Sequence, residues 1–201
     1  MDRFWIAISS ALIGVITTHL YTIFKHWKYK KEIITQLDEE LLSIKYQLEK
    51  QLSIYEDAYK FILKKHIYPS TLPRLIVTPI YDEFFKEVLL QIGTQKRQNF
   101  QKIYHDVNVI NKLVSRWHEE FSEQQKRTYQ KRMYPTPQDA DYVIELVDNS
   151  YINACIISWY ISRFLTNKGT SIWDFDENIN EDYKRQIKSI YEKIGKLKSC
   201  L

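Results

Sequence analysis

Arg97 and His105 share one stretch, Arg97-Gln98-Asn99-Phe100-Gln101-Lys102-Ile103-Tyr104-His105, and are the residue types here that could do chemistry. A guanidinium binds a phosphate and an imidazole moves a proton near neutral pH, the two needs of metal-free RNA cleavage. Seven residues intervene between them. The plainer reading is an exposed arginine and a histidine bonded locally to Asp106 or to solvent. Other catalytic patterns fail at identifiable positions. His118-Glu119-Glu120-Phe121-Ser122 opens like a zinc-protease helix but has Ser122 where the second histidine must stand. Asp174, Asp176, Asn178, Asn180 and Asp182 have the spacing of a calcium loop, with Ile179 at the glycine position and Arg185 at the closing glutamate. A solvated loop ahead of a helix fits them better. The sequence has no Glu-x-x-His pair, no Gly-rich phosphate cradle and no Gly-x-Ser-x-Gly elbow, so no metal and no cofactor is expected. Cys155 and Cys200 make no metal spacing and read as free thiols in a reducing cytoplasm.

Behind that pair stands the element that must place everything else. Residues 4–24 carry no Asp, Glu, Lys or Arg, and twenty-one residues at about 1.5 Å each cover roughly 30 Å, the thickness of a bilayer's hydrocarbon core. A cleavable signal fits poorly, because Asp2 offsets Arg3 and the far end reads Tyr21-Thr22-Ile23-Phe24, bulky where a peptidase needs small residues. A retained span is predicted. Lys25, Lys28, Lys30 and Lys31 follow it at once and would hold that side in the cytoplasm, while Trp5 and the group Tyr21, Trp27 and Tyr29 suit the two interfaces. The organisation expected is an anchor over 1–27 and a cytoplasmic helical bundle over 28–201.

Projection at 100° per residue divides the span. Ala7, Ser10, Ala11, Gly14, Thr17, Thr18 and Tyr21 fall in one arc about 120° wide, and large aliphatic residues fill most of the rest. A face of small and hydroxylated residues lets helices approach closely in lipid, so self-association is expected there. The plainer alternative is a solitary anchor whose hydroxyls bond back to their own helix. His19 is the one ionisable side chain in the span and a functional candidate on that account, though it lies about two turns from the lysines.

The remainder has room for one domain of ordinary size. Four glycines and five prolines leave few tight turns, which argues against an all-β or Gly-loop nucleotide fold. A net charge of +4, much of it the juxtamembrane lysines, gives no footprint for DNA. Apolar residues recur at steps of three and four over residues 34–62, with one local shift near Gln51, predicting a long amphipathic helix continuing from the span. Thr78-Pro79 predicts a cap and first turn for a second helix ending at Gly93. A third should run from about Thr94 past Phe121 and fade into the charged residues 123–132. Thr136-Pro137 starts a fourth, closing at Gly169, and Tyr183, Ile187, Ile190, Ile194 and Leu197 define a last helix. The fold class is therefore all-α: an N-terminal transmembrane helix followed by a helical bundle.

The layout of a span ending in Lys25, Lys28, Lys30 and Lys31, a long helix after it, a Tyr- and Ile-rich helical body and the pair Arg97 and His105 resembles the small single-pass accessory membrane protein of type VI-B CRISPR systems. That resemblance implies a divergent HEPN-like helical domain and an oligomeric membrane pore that assists antiphage defence beside an RNA-guided effector. The seven residues between Arg97 and His105 exceed what the HEPN signature allows, which fits a scaffold better than a ribonuclease. The function expected is a self-associating membrane protein, with lipids, further copies of itself and such an effector as partners. Its alternatives are a membrane-tethered HEPN-like ribonuclease using Arg97 and His105, and a scaffold recruiting a cytoplasmic protein.

Overall fold

The computed structural model describes residues 2–63, 71–131, 137–166 and 177–199, and every regular element among them is a helix. The first, α1, runs from Asp2–Leu63 without interruption. Its 62 residues extend about 93 Å at 1.5 Å per residue. Gly14 is its only glycine and it has no proline, so nothing in the chain breaks it between span and body. From Ile33 onward one face is buried, through Leu37, Leu41, Ile44, Leu48, Tyr55, Tyr59 and Ile62. The shift predicted near Gln51 does not occur. Gln51 itself fills the step between Leu48 and Tyr55 and is buried, because its amide has a use described below.

The second helix, α2, spans Pro79–Val88. Proline at its first position removes one orphan N–H, leaving those of Ile80 and Tyr81 as the first donors. Thr78 does not cap them, contrary to expectation, and its hydroxyl donates to Asp82 at 2.8 Å. Glu40 of α1 takes that role, its two carboxylate oxygens accepting from Ile80 at 2.7 Å and Tyr81 at 3.1 Å. The predicted end at Gly93 also shifts. The helix stops at Val88, whose carbonyl accepts from both Gln91 and Ile92 in a turn over residues 89–92. Next, α3 spans Thr94–Lys131 and continues as helix through the charged stretch in which it was expected to fade. Pro137 begins α4, Pro137–Thr166, as predicted, while Gly169 lies outside the described residues. The last helix, α5, spans Glu177–Ser199, starting before the first residue of its apolar pattern.

Side-chain contacts fix the direction of each helix along α1. Tyr104 bonds Glu40 at 2.5 Å and Trp117 packs on Tyr55 at 5.8 Å, so α3 runs parallel to α1. Asp148 of α4 meets Tyr59, and sixteen residues later Phe164 packs on Phe100 at 5.2 Å, so α4 runs back toward the span. Lys193 and Lys198 return α5 to the level of Glu56 and Asp148. Packing against these helices buries the α1 face, with Tyr55, Tyr59, Tyr104, Tyr151, Phe100 and Phe164 the largest enclosed side chains. Aromatic rings of this size carry much of the apolar area a helical core removes from water.

Between α1 and α2 the chain over residues 71–78 is extended and strapped across the body. Gln51 donates to the carbonyl of Arg74 at 2.5 Å, and Asn111 pairs both peptide groups of Ile76, accepting from its N–H and donating to its carbonyl at 2.8 Å each. His118 donates from Nε2 to the carbonyl of Pro73 at 2.8 Å, so the histidine that mimicked a zinc ligand holds a strand of backbone instead.

Candidate functional site

The apolar segment of α1 lies outside the body on every side. Trp5, Ile13 and Leu20 are each about 60% exposed, and the helix is long and apolar enough to cross a membrane. Ala7, Ser10, Ala11, Gly14, Thr17, Thr18 and Tyr21 are exposed too, and no side chain of the body reaches Gly14, where an added Cβ would meet nothing within 4 Å. The hydroxyls of Ser10, Thr17 and Thr18 donate to the carbonyls four residues back at 2.8 Å. Ser9 and Thr22 do the same. A donor satisfied within its own helix can sit in hydrocarbon, and the hydroxyl oxygen keeps lone pairs for a donor from another helix. Just past the span, Phe24 stacks on Trp27 at 6.2 Å, and Lys31 lies 5.4 Å from the Trp27 ring. Lys25, Lys28 and Lys31 are exposed and Lys30 half-exposed, forming a basic collar.

Arg97 and His105 both lie on α3, half-exposed and exposed respectively. Eight positions on a helix separate them by about 12 Å along the axis and about 80° around it. Asp106 is engaged by Lys102, whose ammonium is 2.5 Å from both carboxylate oxygens. The structure therefore sets the two candidates on adjoining parts of one helix surface rather than converging on one point.

A denser cluster joins α1, α4 and α5. Glu56 and Tyr59 of α1 face Asp148 and Tyr151 of α4, and the pairs are crossed. Tyr59 donates to Asp148 at 2.5 Å and Tyr151 to Glu56 at 3.1 Å, with the two rings edge-on at 6.4 Å. Each carboxylate also takes a lysine from α5, Lys193 on Glu56 and Lys198 on Asp148, both at 2.6 Å. Each lysine lies near the other member's ring as well, Lys193 at 5.6 Å from Tyr151 and Lys198 at 5.9 Å from Tyr59. Burial, reinforced by the Asp148 carboxylate, pushes the Tyr59 hydroxyl far above its ordinary range. Burial raises Tyr151 to about 12 and the neighbouring Cys155 thiol to about 11. The hydrogen bond to Glu56 raises Lys193. All four shifts hold protons more tightly at neutral pH, which suits a clasp and not a proton shuttle.

Tyr46, Lys50 and Ile54 of α1 and Thr71, Leu72, Arg74 and Leu75 of the strap line an open groove of about 460 Å³. Among the described residues no group of three metal-ligating side chains comes together, and Asp174 and Asp176 lie outside those residues. Asp182, from the same calcium-like stretch, pairs with Arg163 at 3.0 Å and Arg185 at 3.3 Å. Periodicity did not mark Glu40, Gln51 or the crossed clasp. The available signal was the repeated acid-x-x-Tyr, Glu56 to Tyr59 and Asp148 to Tyr151, with the tyrosine on the core arc each time. No protein-family model, curated protein or solved structure matches the chain.

Proposed function

We propose that this chain is a single-pass membrane protein whose copies associate through Ala7, Ser10, Ala11, Gly14, Thr17, Thr18 and Tyr21. The observation that carries the reading is the apolar segment of α1, which among the described residues stays largely exposed and is not buried by the helical body. Lipid and neighbouring spans are the two surfaces able to cover it, and the small residues favour a neighbour on one side. The basic collar after the span favours a cytoplasmic body, and the resemblance adds a HEPN-like domain in a bacterial inner membrane.

The unbroken helix adds a geometric support. At 100° per residue the buried residues of the α1 body face centre about 130° away from the centre of the small-residue arc. Spans packed through that arc therefore leave the bodies turned away from the seam, where they do not collide. Such an assembly has the form of a ring with a lumen bounded by Ser10, Gly14, Thr17 and Thr18, and the resemblance to the type VI-B accessory proteins gives it the role of a membrane pore in antiphage defence, acting beside an RNA-guided effector.

The test is the oligomeric state of the full chain in detergent together with permeabilisation of expressing cells. Ser10→Leu with Gly14→Leu keeps the span apolar, so it should still insert yet lose both association and permeabilisation. Arg97→Ala with His105→Ala should leave both unchanged. A strict monomer, or permeabilisation that follows Arg97 and His105 with degradation of RNA, would overturn the proposal.

A further inference from the structure

Leu90 is 90% exposed, the most exposed of the large apolar side chains among the described residues, in a turn that carries no charge from Leu89 to Gly93. Its neighbours Val88 and Ile92 are buried in the core, so the turn is anchored on both sides of the one leucine left out.

The position of that turn along α1 follows from contacts already described. Because α3 runs parallel to α1 with Tyr104 at Glu40, its first residue, ten positions earlier, lies about 15 Å nearer the span, level with about Lys30. The contact of Trp117 with Tyr55 places the same residue level with about Glu32. From the other side, α2 leaves Glu40 at Ile80 and descends until Glu87 lies beside the hydroxyl of Tyr29. Both routes bring the turn over residues 89–92 to the end of the body that faces the span, near the level of Tyr29. The apolar run stops at Phe24, so Leu90 stands about 9 to 12 Å from it along the axis. Headgroup layers are about 5 to 8 Å deep, which brings a leucine side chain at this height to their outer part.

We infer that the turn between α2 and α3 is a second membrane contact, with Leu90 seated in the interfacial layer of the same bilayer that α1 crosses. This rests on the proposed anchoring of α1. It commits to lipid and not to another protein, because the exposed leucine lies near the level of the aromatic residues that end the span. Two attachments, one through the bilayer and one on its surface, fix the tilt of the body where a single tether would let it swing.

The experiment uses the full chain in lipid nanodiscs, with Cys155→Ser and Cys200→Ser, carrying an environment-sensitive fluorophore at Leu90→Cys. Reference labels go at Ile13→Cys in the span and at Leu75→Cys, on the strap level with Gln51 and about 40 Å from Phe24 along the axis. Lipids bearing a nitroxide near the headgroup should quench Leu90→Cys at least twofold more than Leu75→Cys, and aqueous iodide should quench it less. If Ile13→Cys is quenched by lipid while Leu90→Cys behaves like Leu75→Cys, the anchor stands and the second contact is overturned. Shielding of Leu90→Cys from both quenchers means a protein covers it and also overturns the inference. Loss of lipid quenching at Ile13→Cys removes the anchoring itself, and this contact with it.

Discussion

Raising the pH above 10 should unfold the body cooperatively, because its core holds tyrosine hydroxyls that cannot ionise in place. Tyr55, Tyr59 and Tyr104 are essentially inaccessible to water, at 0%, 0% and 2% exposure. Burial comes first among the causes that push each upward, and carboxylates at Tyr59 and Tyr104 add to it. In the unfolded chain these groups release their protons near pH 10, while the folded chain keeps them. The folded state then binds more protons than the unfolded state, so stability is complete below about pH 10 and falls as the pH rises toward the folded values. Each group costs about 1.4 kcal/mol per pH unit in that window, and three together about 4 kcal/mol. Domains have about 5 to 15 kcal/mol in total, so the transition should fall within about one to four units above pH 10. Tyr151, raised to about 12, and Cys155, raised to about 11, act in the same direction and are left out of the sum because their shifts are smaller. The assay follows tyrosinate absorbance and helical circular dichroism together in nanodiscs. Tyrosinate from the buried rings should appear in a single step, together with the loss of helix. Gradual ionisation of every tyrosine around pH 10 with the helices intact would refute the reasoning.

Glu40→Ala removes the acceptor for two backbone donors of α2 and for Tyr104, and should destabilise the body by at least about 4.5 kcal/mol, from three hydrogen bonds to a charged group at about 1.5 kcal/mol or more each. Glu40→Gln keeps one acceptor oxygen and should lose about half of that, both read from urea unfolding in detergent. Asn111→Ala should cost about 2 kcal/mol and speed amide exchange at Ile76, since both hydrogen bonds it makes to the backbone there are lost. In a Cys200→Ser background, Cys155 should alkylate about a hundredfold more slowly in the folded protein than in denaturant, because burial moves its thiol from 9.0 to about 11. A rate equal to that of the denatured chain would show the thiol to be open to water.

Helix positions were legible wherever a period of three to four met a clear boundary residue. Thr94 and Pro137 begin α3 and α4 as their surroundings predict. Gly93 misled because α2 closes earlier on the carbonyl of Val88, a backbone turn that needs no glycine. Thr78 misled because the donors after Pro79 are met by a glutamate about forty positions earlier, and no local pattern reports a distant cap. Gln51 looked like a fault in the apolar stripe and is a buried amide joining Tyr55 to the strap. For the candidate site, the small-residue arc follows from residue types at helical spacing alone, and the structure adds that its side chains are exposed. Arg97 and His105 were readable as residue types only, since their separation and exposure depend on how α3 is packed.

The unbroken course of α1 also limits how this chain can change in evolution. Between the last lysine of the collar and Ile33, where the body begins, one inserted or deleted residue turns the whole span by about 100° against the body and shifts Leu90 against Trp27 by about 1.5 Å. Changes of about seven or eleven residues nearly restore the rotation, yet they lengthen or shorten the rod by about 10 to 16 Å. Relatives that keep both a seam and a seated turn should therefore vary freely in the loops while holding the length of this short stretch constant.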